Sequence, residues 1–217
     1  MTLAIEETTA NTIDVLDRGF LALDGAFASD LAVVNAARVS FNVSSDEMAE
    51  RDEGLIRFLV KAPLFVVREH HRHRAGHSYN EWSGRYSKLE AEFYVPEYVR
   101  TQVGKPGAYS FEPVEPAVAE ATRLEITAAA EQSFAAYERM LEQGVAKEVA
   151  RTVLPLAMYT KYFWSCNPRS LMHFCSLRNS EHAQFEIREY AQAAESFLER
   201  LMPITHAAFA ANGRTAP

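Results

Sequence analysis

Arginine and histidine side chains are concentrated between positions 68 and 85 of a chain that is acidic overall. Arginine binds phosphate through two parallel N–H···O bonds, so this concentration predicts a phosphorylated small molecule as the ligand. The alternatives are a solvated arginine-rich loop or a salt-bridge patch between subunits. The residues concerned are Arg68, Arg72, Arg74, Arg85, His70, His71, His73 and His77.

Short polar residues follow the cationic segment. Their hydroxyl, amide and carboxylate groups suit the edge of a nucleobase or a ribose hydroxyl, and a glycine among them permits close approach of a ligand to the backbone. Together with the arginines they predict a nucleotide pocket. These residues are Ser78, Asn80, Glu81, Ser83 and Gly84.

A metal site is the less favoured alternative for the same segment. His73 and His77 have the four-residue spacing of paired helical zinc ligands. The flanking arginines raise the local potential and oppose a divalent cation. Glu69 and Glu81 are the carboxylates that remain to complete a ligand set, and we predict no metal.

Two stretches resemble the signature motifs of the flavin-dependent thymidylate synthases. The first is Arg72-His73-Arg74 followed by SYNEWSGRYSKL at 78–89. The second is ARTVLPL at 150–156, followed by YT, FW, NPRSLM, LR and HAQ between positions 159 and 184. The resemblance covers residues 30–195, with both motifs in the expected order.

The resemblance implies an activity and an assembly. The chain is expected to convert dUMP to dTMP, with methylenetetrahydrofolate as the one-carbon donor and FADH2, reduced by NADPH, as the hydride donor. The expected fold class is α+β, a single domain with an antiparallel sheet flanked by long helices, assembling as a homotetramer. A non-catalytic nucleotide-binding or flavin-binding homologue on the same fold is the alternative.

The resemblance also assigns roles to matching positions. Arg178 is the expected catalytic residue, stabilising the uracil ring ionised at N3. The expected flavin-binding residues are Arg72, His73, Arg74, Glu81, Asn167, Arg169 and His173. The expected dUMP-binding residues are Glu69, His70, His71, Arg72, Glu81, Trp82, Ser83, Gly84, Arg85, Arg151 and Arg178.

The role implied for Arg178 is physically sound. Loss of the N3 proton moves electron density toward C5, and a fixed guanidinium beside the developing anion lowers its free energy without a covalent bond. No nucleophilic cysteine is then required. Cys166 and Cys175 stand in apolar neighbourhoods with no adjacent base, so we interpret both as core thiols.

The helix that carries these groups separates them around its axis. At 3.6 residues per turn, Arg169 and His173 share a face, whereas Arg178 lies half a turn from Arg169. They are not expected to reach one ligand from one side. The resemblance accounts for this with active sites built from several subunits of a homotetramer.

The sequence departs from the family pattern in two places. Eight residues separate Arg74 from Ser83, where the common spacing is seven, and an extra residue near positions 76–77 would absorb the shift. Family members also carry a His-Gly-Ser/Thr-Pro-Phe-Glu-His segment that helps to hold flavin and folate. Here Leu59 leads directly to Ala62-Pro63. This indicates a truncated pocket, a variant enzyme or, as we favour, an omitted mobile loop.

The surrounding sequence predicts the elements that position these residues. We expect a strand pair and then a helix over 19–43, a solvated turn at 44–54, and a core segment at 55–67. After the basic segment we expect an edge strand at 89–99 and a Pro/Gly-rich loop at 103–116.

The C-terminal half is predicted to be mainly helical. Apolar residues at 130, 134, 137 and 141, and again from 183 to 201, follow the helical period. Between these helices, 158–166 predicts a strand. Asn167 and Pro168 then predict the cap and first position of a helix.

Composition limits the functional class. A length of 217 residues, 48% of them hydrophobic, favours one large domain spanning 1–217. The net charge of −7 disfavours general binding to nucleic acid or anionic membranes. Neither a signal peptide nor an apolar run of ~20 residues is recognisable. Because the chain has only two cysteines, it does not resemble a disulfide-rich secreted domain, and we expect a cytoplasmic protein.

Overall fold

The computed structural model describes residues 11–27, 55–105 and 108–217. The chain forms two compact units: unit 1 contains Met1–Trp82 and Thr160–Pro217, and unit 2 contains Ser83–Tyr159. Each unit is described by itself, and the single domain expected over 1–217 stays a prediction.

The described residues form seven strands and six helices. The strands are β1 (Thr12–Val15), β2 (Gly19–Phe27), β3 (Leu55–Pro63), β4 (His77–Glu81), β5 (Arg100–Lys105), β6 (Ala108–Pro113) and β7 (Tyr159–Cys166). The helices are α1 (Leu64–His70), α2 (Pro116–Glu142), α3 (Lys147–Ala150), α4 (Pro168–Arg178), α5 (Phe185–Leu201) and α6 (Pro203–Ala211), with a 3₁₀ turn at Arg151–Val153.

Unit 1 is built on a five-stranded sheet in the order β1-β2-β3-β7-β4. The β1–β2, β2–β3 and β4–β7 pairs are antiparallel. In β7 the side chains of Tyr162, Trp164 and Cys166 are buried and those between them are half-buried, which is the period of two that makes this segment a strand. The strand predicted at 158–166 is confirmed. The α+β class with an antiparallel sheet is confirmed as well.

Helices α4 and α5 pack with this sheet around one core. Along α5, Ile187, Tyr190, Ala194 and Phe197 are buried at helical spacing, as the sequence predicted. Most of the segment expected to be core at 55–67 is also buried, as β3 and the start of α1, although Leu55 and Arg57 are exposed. These elements bring the end of α1 and the whole of α4 to the sheet.

Two elements at the N-terminal end bear on the sequence predictions. Of the strand pair and helix expected over 19–43, the structure shows one continuous strand, β2, at 19–27, and its antiparallel partner β1 lies before the predicted range. The rest of 19–43 and the turn expected at 44–54 lie outside the described residues. At the departure from the family pattern, β3 continues from Leu55 to Pro63 as one strand paired with β2. This junction is therefore hydrogen-bonded sheet.

Unit 2 contains α2, a 27-residue helix that begins at Pro116 and confirms the predicted helical stripe through Tyr137. Two predictions here are wrong. The expected loop at 103–116 contains most of the antiparallel β5–β6 pair, because residues such as Val103, Tyr109 and Phe111 favour extended backbone and glycine at 104 tolerates a φ of +106°. The expected edge strand at 89–99 is reduced to one bridge, Phe93 to Met158; Pro96 removes a ladder donor there.

Within the part of the chain described, no helix is both long enough and apolar enough to cross a bilayer.

Candidate functional site

The basic segment begins at the C-terminal end of α1. Val66, Val67 and His70 of this helix point into the core, which leaves Arg68 exposed and Glu69 half-buried. At the end of the helix, the backbone N–H of His71 donates to the carbonyl oxygen of Val67 at 2.8 Å. Residues 72–74 therefore stand in a turn between α1 and β4.

Two side chains outside the predicted set fix this turn. The hydroxyl of Tyr79 on β4 lies 3.0 Å from the carbonyl oxygen of His70 and 2.8 Å from that of His73. The hydroxyl of Ser170 on α4 donates to the carbonyl of Ala75 at 2.9 Å. The alternation of β4, which turns Tyr79 to the same face as His77, was the signal in the sequence that would have identified this contact.

Gly76 allows the close approach of the turn to α4. Its φ is +70°, and a Cβ at this position would lie 2.2 Å from the Ser170 hydroxyl oxygen. A side chain would therefore meet both backbone strain and a steric clash.

The N-terminal end of α4 has the predicted cap. The side-chain oxygen of Asn167 accepts the N–H of Ser170 at 2.8 Å, and Pro168 occupies the first turn. Asn167 is thus partly engaged within the protein. Arg169 and His173 are exposed, and Arg169 donates to the carbonyl oxygen of Pro217.

The C-terminal end of α4 brings three predicted residues together. Arg178 donates through Nε to His73 Nε2 at 2.9 Å, and through Nη1 to Glu69 Oε2 at 2.9 Å. The side chain of Arg178 is 20% exposed and that of Glu69 is 32% exposed. The helix C-terminus also favours a cation electrostatically. A guanidinium is therefore held by two acceptors and retains access to solvent.

Two of the α4 side chains that were expected on different faces of the helix both lie close to His73. The ring of His173 lies 6.3 Å from that of His73, which also accepts from Arg178. His173 and Arg178 thus both approach one imidazole, because the Arg178 side chain is long enough to reach around the helix. Arg169 points elsewhere, as its position half a turn from Arg178 predicted.

Hydrogen bonding determines the protonation of two histidines. Arginine has no acceptor, so His73 Nε2 must carry a lone pair and the ring is neutral. Burial, and then the charge of Arg178, lower the pKa of His73 to about 4. Trp164 likewise donates to His77 Nδ1 at 2.9 Å, and burial, then His173, lower the pKa of His77 to about 4. Both rings are neutral at pH 7.

His70 is buried and His71 is half-buried. His70 is 2% exposed, its Nδ1 lies 2.6 Å from the Tyr162 hydroxyl, and burial lowers its pKa well below 6.5. Burial also lowers the pKa of His71, whose ring centroid is 4.4 Å from that of Tyr79. The Nε2 atoms of both rings are buried and have no hydrogen-bond partner among the described residues.

Two arginines of the Arg72-His73-Arg74 motif have no ion-pair partner among the described residues. Arg72 and Arg74 are exposed, and within the described ranges neither has a carboxylate at salt-bridge distance. Exposed cations held without counter-charge are suited to an anionic ligand.

The strand β4 ends at Glu81, and Trp82 follows it. Glu81 accepts a hydrogen bond from the hydroxyl of Thr160 at 2.8 Å. The backbone N–H of Trp82 donates to the carbonyl oxygen of Lys161 at 3.0 Å. The Trp82 residue is 50% exposed. Both residues stand at the edge strand of the sheet, in unit 1.

The remaining predicted residues belong to unit 2. Arg85 is exposed, and its guanidinium carbon lies 5.0 Å from the centre of the Tyr86 ring. The backbone N–H of Arg85 donates to the hydroxyl oxygen of Ser83 at 3.3 Å. Gly84 is buried against Leu89. Arg151 is exposed at the start of the 3₁₀ turn.

The helical spacing of His73 and His77 does not produce a helical pair. Helix α1 ends at His70, and the two ring centroids are 5.9 Å apart in the turn and in β4. Among residues 11–27, 55–105 and 108–217, no group of three His, Cys, Asp or Glu side chains could hold a metal ion.

Both cysteines are core thiols, as predicted. Cys166 and Cys175 are free and buried, and burial raises the pKa of each above its ordinary value. A protonated buried thiol is a poor nucleophile.

Comparison with known proteins identifies the family. A family model described as thymidylate synthase complementing protein matches residues 53–204. The flavin-dependent thymidylate synthase of Thermotoga neapolitana is 41% identical over 215 residues, covering 91% of this chain and 93% of that protein. That of Streptomyces coelicolor is 42% identical over 221 residues, covering 88% and 90%.

A solved structure agrees with these relatives. The UMP/dUMP methylase PolB from Streptomyces cacaoi, bound with 5-Br UMP, has a TM-score of 0.80 and 38% identity, covering 94% of this chain and 99% of that chain. The same protein bound with 5-Br dUMP has a TM-score of 0.78 at 37% identity. By its motifs, its fold and these relatives, the chain belongs to the flavin-dependent thymidylate synthase family, a family of methyltransferases.

Proposed function

We propose that this enzyme converts dUMP to dTMP, with methylenetetrahydrofolate as one-carbon donor and FADH2, reduced by NADPH, as hydride donor. The observation that carries the proposal is the placement of Arg178. Its guanidinium is held by neutral His73 and by Glu69 at the end of α4, in a chain of this family.

Arg178 acts on the uracil ring in this proposal. Two of its N–H groups are occupied by His73 and Glu69, so its plane and position are set before a ligand arrives. A preorganised donor stabilises charge that develops at N3 at no cost of reorganisation. The density released toward C5 makes that carbon the nucleophile toward the folate methylene.

The exposed cations supply the phosphate contacts. Arg72 and Arg74 in unit 1, and Arg85 and Arg151 in unit 2, are the arginines that we assign to anionic groups of the ligands. Ser83, Gly84, Trp82, Glu81 and Glu69 provide the polar contacts to dUMP. The deep burial of His70 favours a structural contribution from that residue, and His71 packs beside it.

The described residues fit a flavin dinucleotide. Arg72 and Arg74, which have no carboxylate partner among the described residues, are suited to its pyrophosphate together with exposed Arg169 and His173 on α4. His73, Asn167 and Glu81 complete the set that we assign to FAD. When bound and reduced, this cofactor supplies the hydride that converts the transferred methylene to a methyl group.

We also propose a homotetramer in the cytoplasm. Apolar side chains are exposed on β5–β6 and α2 of unit 2, among them Val103, Phe111, Val118 and Leu124. Exposed apolar groups in such number favour association with other copies of the chain. The two free thiols support a reducing compartment.

UMP is a second candidate substrate. It is favoured by one observation: the similar protein PolB is described as a UMP/dUMP methylase and was solved with 5-Br UMP as well as 5-Br dUMP. Parallel assays with UMP and dUMP distinguish the two substrates.

The experiment is formation of dTMP from dUMP, methylenetetrahydrofolate, FAD and NADPH. Arg178→Ala is expected to lower turnover about 10²–10³-fold, the usual effect of removing one transition-state donor, and to leave the tetramer intact. Arg18→Ala, with its side chain 52% exposed, is the matched control and should retain full activity.

Either of two results would count against the proposal. Full activity of Arg178→Ala would exclude the arginine mechanism. A protein that binds flavin and nucleotide yet forms neither dTMP nor the UMP product would instead support the non-catalytic homologue.

A further inference from the structure

The Glu69–Arg178 pair presents an acceptor and a donor side by side. Oε2 of Glu69 and Nη1 of Arg178 are joined at 2.9 Å. The second carboxylate oxygen of Glu69 and the Nη2 group of Arg178 have no hydrogen-bond partner in the described part of the chain. Because both side chains are partly exposed, these free groups are available to a ligand.

The charge of this pair differs from that of the neighbouring arginines. Glu69 neutralises Arg178, and His73 is neutral, whereas Arg72 and Arg74 have no carboxylate at salt-bridge distance among the described residues. A phosphate would be repelled by the Glu69 carboxylate and attracted by the two free arginines. The pair is therefore suited to an uncharged ligand edge with both a donor and an acceptor.

The uracil ring has such an edge. Its N3–H donor is flanked by the O2 and O4 acceptors, so a carboxylate can accept from N3 while a guanidinium donates to the adjacent carbonyl. Cytosine lacks the N3 proton and carries an amino group at C4, so its N3 lone pair would face the carboxylate. In this partly exposed site, binding of cytosine would lose one charge-assisted hydrogen bond and place its N3 lone pair against the carboxylate, so uracil is preferred.

We propose that Glu69 accepts the N3 proton of the uracil ring and, with Arg178, selects uracil over cytosine. This inference rests on the proposed function and deepens it. In the step, the N3–H bond breaks, its electron pair stays on the ring over O2, O4 and C5, and an O–H bond forms on the Glu69 carboxylate. The proton returns to N3 of dTMP before the product leaves.

Charge conservation supports this assignment. Before the step Arg178 is paired with the Glu69 carboxylate, and after it with the uracil anion. One negative charge faces the guanidinium throughout, so no uncompensated charge arises in a partly buried site. If Glu69 were only a counter-ion, its charge would compete with the uracil anion for Arg178, and removing it would speed the reaction.

The first test is nucleotide binding by the FAD-loaded protein. The dissociation constants of dUMP and dCMP are measured for the wild type, Glu69→Gln and the conservative variant Glu69→Asp. The preference for dUMP is expected to fall about tenfold or more in Glu69→Gln, the value of one charge-assisted hydrogen bond, and to be partly retained in Glu69→Asp. Glu199→Gln, an exposed change on α5, should keep the wild-type preference.

The second test is turnover of dUMP by the same four proteins. Glu69→Gln is expected to lower kcat about 100-fold, the lower end of general-base effects, with Glu69→Asp intermediate. An unchanged or increased kcat together with an unchanged preference for dUMP would overturn the inference. If the wild type forms no dTMP, the proposed function fails. The binding preference then decides the role of Glu69 on its own, because loss of that preference supports it and its persistence refutes it.

Discussion

Two Arg–Glu pairs flank the C-terminal end of α4, and they differ in how fully they are satisfied. Arg178, the last residue of the helix, pairs with Glu69. The next residue, Asn179, donates to Glu195 of α5 at 2.7 Å, and Glu195 also pairs with Arg214. The first pair opens toward solvent, whereas the second is closed.

The closed pair is saturated by its neighbours. One oxygen of Glu195 accepts from both Asn179 and Arg214, and the other lies 3.2 Å from His206 Nε2. Burial raises the pKa of Glu195, but the hydrogen bonds from Arg214, Asn179 and His206 outweigh it and hold the pKa below its ordinary value. The side chain is 9% exposed.

The difference shows what each pair contributes. Glu195 has a partner on both oxygens, so it joins α5, α6 and the end of α4 and leaves nothing for a ligand. Arg178 and Glu69, in a partly exposed position, have donor and acceptor groups with no partner in the ranges that the structure describes. The degree of hydrogen-bond saturation therefore separates a stabilising pair from a functional one.

The largest expected effect that tests this comparison is on stability. Glu195→Ala should lower the free energy of unfolding by about 2–3 kcal/mol, less than for a fully buried pair because the Arg214 side chain is 40% exposed. Activity per folded molecule should be retained. Urea denaturation measures the effect. Glu199→Ala, on the exposed face of the same helix, is the control and should change stability by less than about 0.5 kcal/mol.

The next prediction concerns the pH range in which the groups at each pair lower the stability of the fold. His73, beside the open pair, has a pKa of about 4 in the folded state and 6.5 when unfolded, so the unfolded chain binds more protons between these values. Protonation of His73 should therefore lower stability as the pH drops through that range, by up to about 1.4 kcal/mol per pH unit, and His77, whose pKa is also lowered to about 4, should add a loss of the same sign. Glu195, with its pKa lowered from 4.5, should contribute to the loss only at lower pH.

Unfolding by urea across this pH range checks the prediction. His73→Gln should flatten the slope above the Glu195 range, because one proton fewer is taken up on unfolding. An identical slope in this variant would show that other groups control the acid response.

The smallest expected effect concerns the opposite end of α4. Asn167→Ala removes the cap of Ser170 and should lower the free energy of unfolding by about 1 kcal/mol, whereas Asn167→Ser should lose much less. Thermal or urea denaturation measures both. A loss as large as that of Glu195→Ala would mean that the two ends of the helix stabilise the protein equally, contrary to the comparison.

Local patterns in the sequence were sufficient for several elements. The alternation of β7, the stripe of α5 and the Asn167-Pro168 cap each depend on residues within a few positions of one another, where the strand and helix periods act directly. The motifs in 72–89 and 150–184 identified the family for the same reason, since their residue types and spacing are visible without a fold.

The secondary-structure preferences of single residues gave a wrong prediction where a strand is stabilised by a second strand. The segment 103–116 contains proline and glycine and was expected to be a loop, yet β5 and β6 pair from Arg100 to Pro113. The propensity of single residues does not include the hydrogen bonds that a matched second strand provides.

Only the tertiary structure showed which partners hold Arg178. His73 and Glu69 are separated from it by 105 and 109 positions, and they meet it because the sheet order and the burial of α1 and α4 bring these helix ends together. By itself, the sequence determined that an arginine stands at position 178 in a family motif. Its pairing with a carboxylate and a neutral imidazole was decided by long-range packing, which no local spacing encodes.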